Sequence, residues 1–256
     1  MSAPRLEGRR VLVVGAGTQA SDDPDAPHGN GRAIAVLAAR EGAAVVCADR
    51  DRAAAEETAA MVEKEGATAS VIVADVSSED ACAVMATDAT ADRLDGLVLN
   101  VGIGRGIGLD GTTAHDWDTT FAVNLRGHFL VTREVLPRLA EGGAIVYISS
   151  VAGLKPGSRL PAYDASKAGL AGLCRHVALE GARRGVRANV IAPGLIDTPL
   201  GRWATRGRPS RERTPVPLGR QGSAWEVAAA TVFLLSDDAS YVTGQVLPVD
   251  GGLTLI

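Results

Sequence analysis

Tyr163 and Lys167 are the first residues in this chain whose types and spacing suggest chemistry. They stand four positions apart in an apolar, Ala- and Gly-rich segment, 161–184, which predicts one long helix. Residues four apart share a helix face, so the phenol and the ammonium converge. A phenol has a reference pKa of about 10, and a nearby cation lowers it. The pair predicts an acid/base near neutral pH, although a surface Tyr and Lys on one face give the same pattern.

The length and composition of the chain favour one α/β domain spanning residues 1–256. Hydrophobic residues make up 46% and charged residues 22%, as in ordinary soluble domains. A net charge of -4 gives no sign of the excess positive charge that nucleic-acid binding requires. Neither a signal peptide nor a run of about 18 apolar residues is present, so no membrane span and a cytoplasmic location are expected.

The cysteines and histidines do not predict a metal site. The three cysteines are far apart, and the four histidines form no i,i+4 pair and no cluster with them. An odd number of scattered cysteines argues for a reducing compartment, where each is a small buried hydrophobe.

Short apolar runs alternate with helix-periodic segments along the chain. This alternation predicts βαβ units, hence a parallel sheet of about seven strands with helices on both faces. The predicted strands are 10–14, 45–49, 69–74, 96–99, 144–148, 186–191 and 245–249. The predicted helices begin at Gly29-Asn30-Gly31 and continue with 51–64, 78–91, 114–124, 125–141, 161–184 and 223–235.

The residues at the ends of the first four strands suit a nucleotide. They are small or hydrogen-bonding: Gly15, Asp49, Asp75 and Asn100. Ligands of open α/β sheets bind beyond the carboxyl ends of the strands, so these residues predict a nucleotide site at that edge.

A glycine turn joins the first strand to the first helix. Gly15 and Gly17 follow the strand, and Gly29, Asn30 and Gly31 open the helix. Backbone N–H groups and the helix dipole at such a start favour a pyrophosphate. Thirteen residues, 16–28, separate Gly15 from Gly29. An ordinary strand–loop–helix connection with a surface insertion is the alternative.

Asp49 ends the second strand, where a carboxylate accepts the ribose hydroxyls of an adenosine and repels a 2′-phosphate. We therefore expect NAD rather than NADP, although Arg50 follows and could answer a phosphate. The alternative for Asp49 is an N-cap of the next helix.

A third constellation joins Ser150 and Asn124 to Tyr163 and Lys167. Together with several short motifs, it makes nearly the whole chain resemble the short-chain dehydrogenase/reductase family. The motifs, in chain order, are Leu99-Asn100-Val101-Gly102, Val123-Asn124-Leu125, Ile148-Ser149-Ser150, Tyr163-Asp164-Ala165-Ser166-Lys167, Pro193-Gly194-Leu195-Ile196-Asp197-Thr198 and Asp250-Gly251-Gly252. Each is modest alone, but all of them in this order are highly specific.

The resemblance implies a Rossmann-type fold and a role for each member of the constellation. Tyr163 resembles the family's proton donor and acceptor, and Lys167 the residue that lowers its pKa and holds the nicotinamide ribose. Ser150 resembles the hydroxyl that positions the substrate, and Asn124 the residue that holds a relay water. Ser149 is disfavoured because strand alternation points it away. The cofactor-binding positions are Gly15, Gly17, Gly29, Asn30, Gly31, Asp49, Asp75, Val76, Asn100, Gly102, Tyr163, Lys167, Pro193, Ile196 and Thr198.

Two departures from the family pattern stand out. About ten extra residues, 19–28, enlarge the glycine turn, and we expect them to bulge beside the pyrophosphate while the helix still opens at Gly29. The three aspartates in this insertion (Asp22, Asp23 and Asp25) would further disfavour NADP. Val101 replaces the usual Ala of the Asn-Ala-Gly turn, a change that packing tolerates.

The segment 199–217 resembles the family's substrate lid, within a longer stretch, 197–222, that we expect to be a mobile loop. It carries Arg202, Arg206, Arg208, Arg211 and Arg213, with Glu212 as its only acid. An anionic substrate, such as an acyl thioester or a carboxylate, would suit this charge. A solvated loop is the alternative, and Trp203 fits either as a lid aromatic or as loop packing.

The expected function is an NAD(H)-dependent oxidoreductase that interconverts a secondary alcohol and a ketone. The partner is a small molecule, and the resemblance implies a homotetramer with interfaces at the Tyr163 helix and the C-terminal strand. The alternatives are a 3-oxoacyl thioester reductase and a dinucleotide-binding regulator without catalysis, which the four filled catalytic positions disfavour.

Overall fold

A seven-stranded parallel sheet forms the centre of the protein. The structure, a computed structural model, describes residues 4–21, 23, 25–205 and 215–256. The strand order is β3-β2-β1-β4-β5-β6-β9, with every pair parallel, as the alternating sequence pattern predicted. The strands are β1 (Arg10–Val14), β2 (Ala44–Asp49), β3 (Ala69–Val73), β4 (Gly96–Leu99), β5 (Ala144–Ile148), β6 (Arg187–Pro193) and β9 (Val246–Val249).

Helices cover both faces of the sheet because successive strand side chains point to opposite sides. On one face Val11, Val13 and neighbouring strand side chains pack with the helices that begin at Asn30 and Ala224. On the other face Leu12 and Val14 belong to a cluster with the helices that begin at Glu79, Gly127 and Pro161. The helices are α1 (Asn30–Arg40), α2 (Arg52–Lys64), α3 (Glu79–Ala89), α4 (Ala114–Phe121), α5 (Gly127–Val135), α6 (Pro161–Gly181), α7 (Pro199–Thr205) and α8 (Ala224–Leu235).

The predicted boundary between the helices 114–124 and 125–141 is wrong. A π-helical turn, Ala122–Arg126, joins α4 directly to α5, and a short 3-10 turn, Leu136–Arg138, ends the run. A π turn holds one more residue than an α turn, so it rotates the side chains that follow it relative to those before. It therefore sets the direction of Asn124, which lies inside it.

The predicted mobile loop 197–222 is also only partly correct. Its described part contains α7 and a two-residue parallel ladder between β7 (Ile196–Asp197) and β8 (Gly222–Ser223). The helix begins at a proline with its φ preset, and Thr198 Oγ1 accepts a hydrogen bond from Gly201 N at 3.0 Å. Residues 206–214, which include Arg206, Arg208, Arg211, Glu212 and Arg213, lie outside the described residues, as do Asp22 and the Trp203 side chain.

The three cysteines are buried and unbridged. Burial raises the pKa of the Cys47 and Cys174 thiols to about 12, so they stay protonated and pack as small apolar groups. Within the described residues, no helix is both long and apolar enough to cross a membrane.

Candidate active site

Lys167 occupies the centre of the candidate site. Its side chain is only 3% exposed, and Nζ donates to Ile148 O at the end of β5 at 2.9 Å. Desolvation lowers the pKa of Lys167 to about 8, because burial disfavours the charged ammonium. An ammonium has three N–H donors, so the bond to Ile148 leaves others for a ligand.

Tyr163 and Ser150 both precede this lysine in the chain, Tyr163 by one helical turn and Ser150 at the end of β5. Lys167 Nζ lies 5.8 Å from the centroid of the Tyr163 ring, as the shared helix face predicted. Ser150 follows β5, and its Oγ accepts a hydrogen bond from Ala152 N at 3.1 Å, which leaves the hydroxyl proton to be donated elsewhere. Ser149 is turned away, and its Oγ donates to Lys167 O at 2.8 Å.

Asn124 acts as a clamp through its side chain. Oδ1 accepts from Ile103 N at 2.8 Å, while Nδ2 donates to Ile103 O at 2.8 Å and to Ser166 Oγ at 3.0 Å. Ser166 Oγ in turn donates to Tyr163 O at 2.8 Å. The fully buried amide therefore ties the turn after β4 to the helix that carries Tyr163 and Lys167.

His128 also holds this turn, and the sequence reasoning missed it. Its ring is fully buried, and Nε2 lies 3.0 Å from Val101 O, which makes the Nε2–H tautomer the donor. Burial and the Lys167 charge lower the pKa of His128 to about 3, so the ring is neutral. No described residue pairs with Nδ1. The four-residue spacing of Asn124 and His128 was the available signal, but the predicted helix boundary between residues 124 and 125 hid it.

The turn after β4 fits tightly between its neighbours. Asn100 Nδ2 donates to Gly15 O at 2.8 Å, which joins β4 to the glycine turn. A Cβ on Gly102 would lie 3.0 Å from Lys167 Nζ, so the backbone there runs against the ammonium. The packing of Val101 against the glycine turn is equally close, since a Cβ on Gly15 would lie 2.8 Å from Val101 Cγ2.

The glycine turn forms a cradle at the start of α1. Gly29 is the N-cap and has no side chain to cap the helix. A Cβ on Gly31 would lie 1.8 Å from Gly15 O, and one on Gly17 would lie 2.9 Å from Asp49 Oδ2, so only glycine fits these positions. Asn30 Oδ1 is a buried acceptor that no donor among the described residues reaches. Bare helix N–H groups and closely approaching backbone suit the pyrophosphate of a dinucleotide.

The insertion is pinned at its base. Gly29 N donates to Thr18 Oγ1 at 3.0 Å, which brings the two ends of the extra loop together. The turn therefore still passes from Gly17 into α1, with the two ends of the insertion side by side.

Asp49 and Asp75 end neighbouring strands, as the sequence predicted. Asp49 Oδ2 accepts from Gly17 N at 3.0 Å and Oδ1 from Asp51 N at 3.1 Å. The N-cap of α2 is Asp51, whose side chain accepts from Ala54 N, so capping does not explain Asp49. Asp75 lines an open cavity of about 700 Å³ together with Arg50, Asp51, Arg52, Val73, Ala74 and Ala81. This cavity suits the adenosine end of a dinucleotide.

Three of the predicted cofactor-binding positions lie at the end of β6 or just after it, and a fourth, Val76, follows β3. Pro193 ends β6, Ile196 is 9% exposed in β7, and Thr198 is buried with its Oγ1 engaged at the start of α7. Val76 is 4% exposed and lies too close to Gly127 for any side chain there, since a Cβ would sit 2.8 Å from Val76 O.

Arg202 lies beside these residues but is already paired. Its Nε and Nη2 donate to the two carboxylate oxygens of Asp197 at 2.7 and 3.0 Å, and Nη1 donates to Asp23 Oδ2 at 2.7 Å. The expectation that lid arginines await an anionic substrate therefore does not hold for Arg202. Within the described residues, no group of three or more His, Cys, Asp or Glu side chains is arranged to hold a metal ion.

Comparisons with known proteins show the family of this chain. A family model described as enoyl-(acyl carrier protein) reductase matches residues 26–254. The 3-oxoacyl-[acyl-carrier-protein] reductase FabG of Thermotoga maritima is 38% identical, over 98% of this chain and 100% of its own length.

Two solved structures share the whole fold. One, described as a short-chain dehydrogenase/reductase from Burkholderia xenovorans, is 34% identical with a TM-score of 0.90 and covers 99% of both chains. The other, described as a 2-deoxy-D-gluconate 3-dehydrogenase from Agrobacterium tumefaciens, has NADP bound. It is 37% identical with a TM-score of 0.88 over 100% of both chains. This chain belongs to the short-chain dehydrogenase/reductase family and is an oxidoreductase acting on CH–OH groups.

Proposed function

We propose that the protein is an NAD(H)-dependent enzyme that interconverts a secondary alcohol and a ketone, with Tyr163 as the acid/base. The observation that carries this is the buried Lys167, whose Nζ is fixed by Ile148 O and faces the Tyr163 ring at 5.8 Å. A buried ammonium beside a phenol favours the phenolate. Such a pair transfers a proton at the substrate oxygen.

The remaining residues position the reaction. Ser150 Oγ has a proton to donate toward a substrate oxygen, and Lys167 has free N–H donors for a ribose. A nicotinamide dinucleotide supplies hydride transfer when bound. Asn124 uses both N–H donors of its amide on Ile103 O and Ser166 Oγ, and its oxygen accepts from Ile103 N, so Asn124 contributes by holding the turn after β4 against Lys167.

NAD rather than NADP is part of the proposal. Asp49 lies at the end of β2, beside the cavity that suits adenosine, and a carboxylate there repels a 2′-phosphate. Two observations favour the phosphorylated cofactor instead. Arg50 and Arg52 line the same cavity, and a related structure holds NADP. The KM values for NADH and NADPH, measured with one ketone, distinguish the two.

Exchange of Tyr163 for Phe tests the mechanism. We expect turnover to fall by a factor of about 10³ or more, since acid/base groups contribute about 10² to 10⁴ and the phenol is the only one proposed. NADH binding, followed by fluorescence titration, should remain. Unchanged turnover would contradict the role of Tyr163. Normal NADH binding by a wild type that shows no turnover on any tested alcohol or ketone would favour the regulator.

A 3-oxoacyl thioester reductase is the second candidate. The similarity to FabG and the description of the matching family model favour it. A panel that pairs each 3-oxoacyl thioester with its free ketone would decide, because a thioester reductase shows a much higher kcat/KM for the thioester. Arg202 gives this candidate no support, because two carboxylates already engage it.

A homotetramer in the cytoplasm completes the proposal. Large apolar side chains stay exposed on α6 and near the C-terminus, as Leu179 at 79%, Tyr241 at 101% and Leu255 at 85%. Exposed apolar side chains on these two segments would be covered if both form subunit contacts. Light scattering after size-exclusion chromatography should give four times the 26.3 kDa chain mass. A monomeric mass at working concentration would contradict this part of the proposal.

A further inference from the structure

A three-part ion pair joins the insertion to α7. Arg202 holds Asp197 with a two-pronged contact and donates its remaining Nη1 to Asp23 Oδ2 at 2.7 Å. The other oxygen of Asp23, Oδ1, accepts from Asp25 N at 3.0 Å, which orients the carboxylate. We call Asp23, Arg202 and Asp197 the strap.

The sheet order shows what the strap spans. The insertion follows β1, while Asp197 and α7 follow β6, and β4 and β5 lie between those two strands. Three steps of about 4.8 Å place the two strand ends about 14 Å apart. Both segments leave the carboxyl ends of their strands, and they meet through Asp23 and Arg202. A contact across this distance spans the carboxyl edge of the sheet next to β4 and β5.

Those strand ends carry the residues of the candidate site. Asn100 and Gly102 follow β4, and Ser149 and Ser150 follow β5. A dinucleotide of an open α/β sheet lies along this edge. A dinucleotide bound along this edge would therefore lie next to the strap.

The two segments that the strap joins, the insertion and α7, are each held by hydrogen bonds. On the insertion side, Thr18 Oγ1 accepts from Gly29 N at 3.0 Å. On the α7 side, Thr198 fixes the first turn of the helix, since Arg202 N donates to Thr198 O at 2.8 Å. The contact between Asp23 and Arg202 therefore links two segments that are each held in place.

We propose that Asp23 and Arg202 are positioning residues that retain the bound dinucleotide by holding the insertion and α7 together across the carboxyl edge of the sheet. This rests on the proposed function only in needing a dinucleotide to bind. The Arg202 and Asp23 side chains are 44% and 43% exposed, so salt screens their attraction. An exposed pair of this kind changes an equilibrium by a factor of about two to five.

Exchange of Asp23 for Asn tests the strap with Asp25→Asn as the matched control. Both variants remove one negative charge from the same loop, but only the first loses the carboxylate bonded to Arg202. NADH release is followed by stopped-flow fluorescence in salt at about 50 mM and about 1 M, where the Debye length falls to about 3 Å. Unfolding midpoints check that both variants fold.

We expect Asp23→Asn to release NADH about two to five times faster than the wild type at low salt. The difference should vanish at high salt, and Asp25→Asn should match the wild type throughout. Equal release by all three proteins overturns the strap, as does equal acceleration in both variants. A wild type that binds neither NADH nor NADPH overturns the strap and the proposed function together, whereas bound NADH with equal release overturns the strap alone.

Discussion

Exchange of Lys167 for Met should change how the stability of the free enzyme depends on pH. The wild-type ammonium is buried, and desolvation lowers its pKa from 10.5 to about 8. Methionine has a similar length and no charge, so it removes the desolvation cost along with the catalytic group. Turnover should be lost, because Lys167 is the cation proposed to favour the Tyr163 phenolate.

The size of the effect follows from the pKa shift. A shift of about 2.5 units corresponds to about 3 kcal/mol of destabilisation, present in full while Lys167 is protonated in both the folded and the unfolded chain. Above pH 8 the folded protein releases the proton while the unfolded chain keeps it until about pH 10.5, so stability rises with pH in this window. Between pH 7 and about 9.5 the wild type should gain about 2 kcal/mol relative to the variant.

The lost hydrogen bond to Ile148 O does not obscure this signal. An orphaned buried carbonyl costs about 1–3 kcal/mol, and that cost is independent of pH. Urea unfolding of both proteins at several pH values gives the difference in unfolding free energy directly. Lys64→Met, at an exposed position in the last turn of α2, is the control and should show no such slope.

A difference between wild type and Lys167→Met that stays constant from pH 7 to 9.5 would refute the reasoning. It would mean that the ammonium is hydrated or compensated in the folded protein, and that burial does not set its pKa. If the wild type instead lost stability relative to Lys167→Met as the pH rises, the pKa of Lys167 would be raised in the folded protein, which requires an anionic partner for Lys167.

Three further substitutions test other parts of the site. Asp49→Ser should move the kcat/KM ratio of NADPH to NADH upward by about tenfold or more, since it removes the charge that repels a 2′-phosphate; an unchanged ratio would place cofactor choice elsewhere. Gly31→Ala should abolish cofactor binding or folding, because its Cβ would lie 1.8 Å from Gly15 O, and near-normal NADH titration would contradict the cradle. Asn124→Ala should cost about 1–3 kcal/mol in urea unfolding by leaving the half-buried N–H and C=O of Ile103 without their protein partner, whereas a loss below about 0.5 kcal/mol would show that the clamp is dispensable.

The sheet was predictable from the sequence because its strands are local signals. The central strands are short apolar runs buried on both faces, and β4 and β5 have the predicted bounds. The helix with Tyr163 and Lys167 was predictable for the same reason, since the contact spans one turn. Interruptions within a helical pattern were not: the π turn at Ala122–Arg126 replaces a predicted boundary.

Contacts between distant parts of the chain were beyond the sequence. Asp49 was a candidate for the cap of α2 until the hydrogen bonds assigned that cap to Asp51. The pairing of Asp23 with Arg202 joins residues 179 positions apart, and no local pattern carries such a contact.

The sequence by itself determined the order of strands and helices, the spacing of Ser150, Tyr163 and Lys167, and the residues at the strand ends. These follow from hydrophobic period and from helix geometry, which act over a few residues. Only the tertiary structure decided that Asn124 and His128 hold the turn after β4, and that Arg202 pairs with two carboxylates. Side-chain partners depend on which elements meet and at what rotation, and those are set by packing of the whole chain.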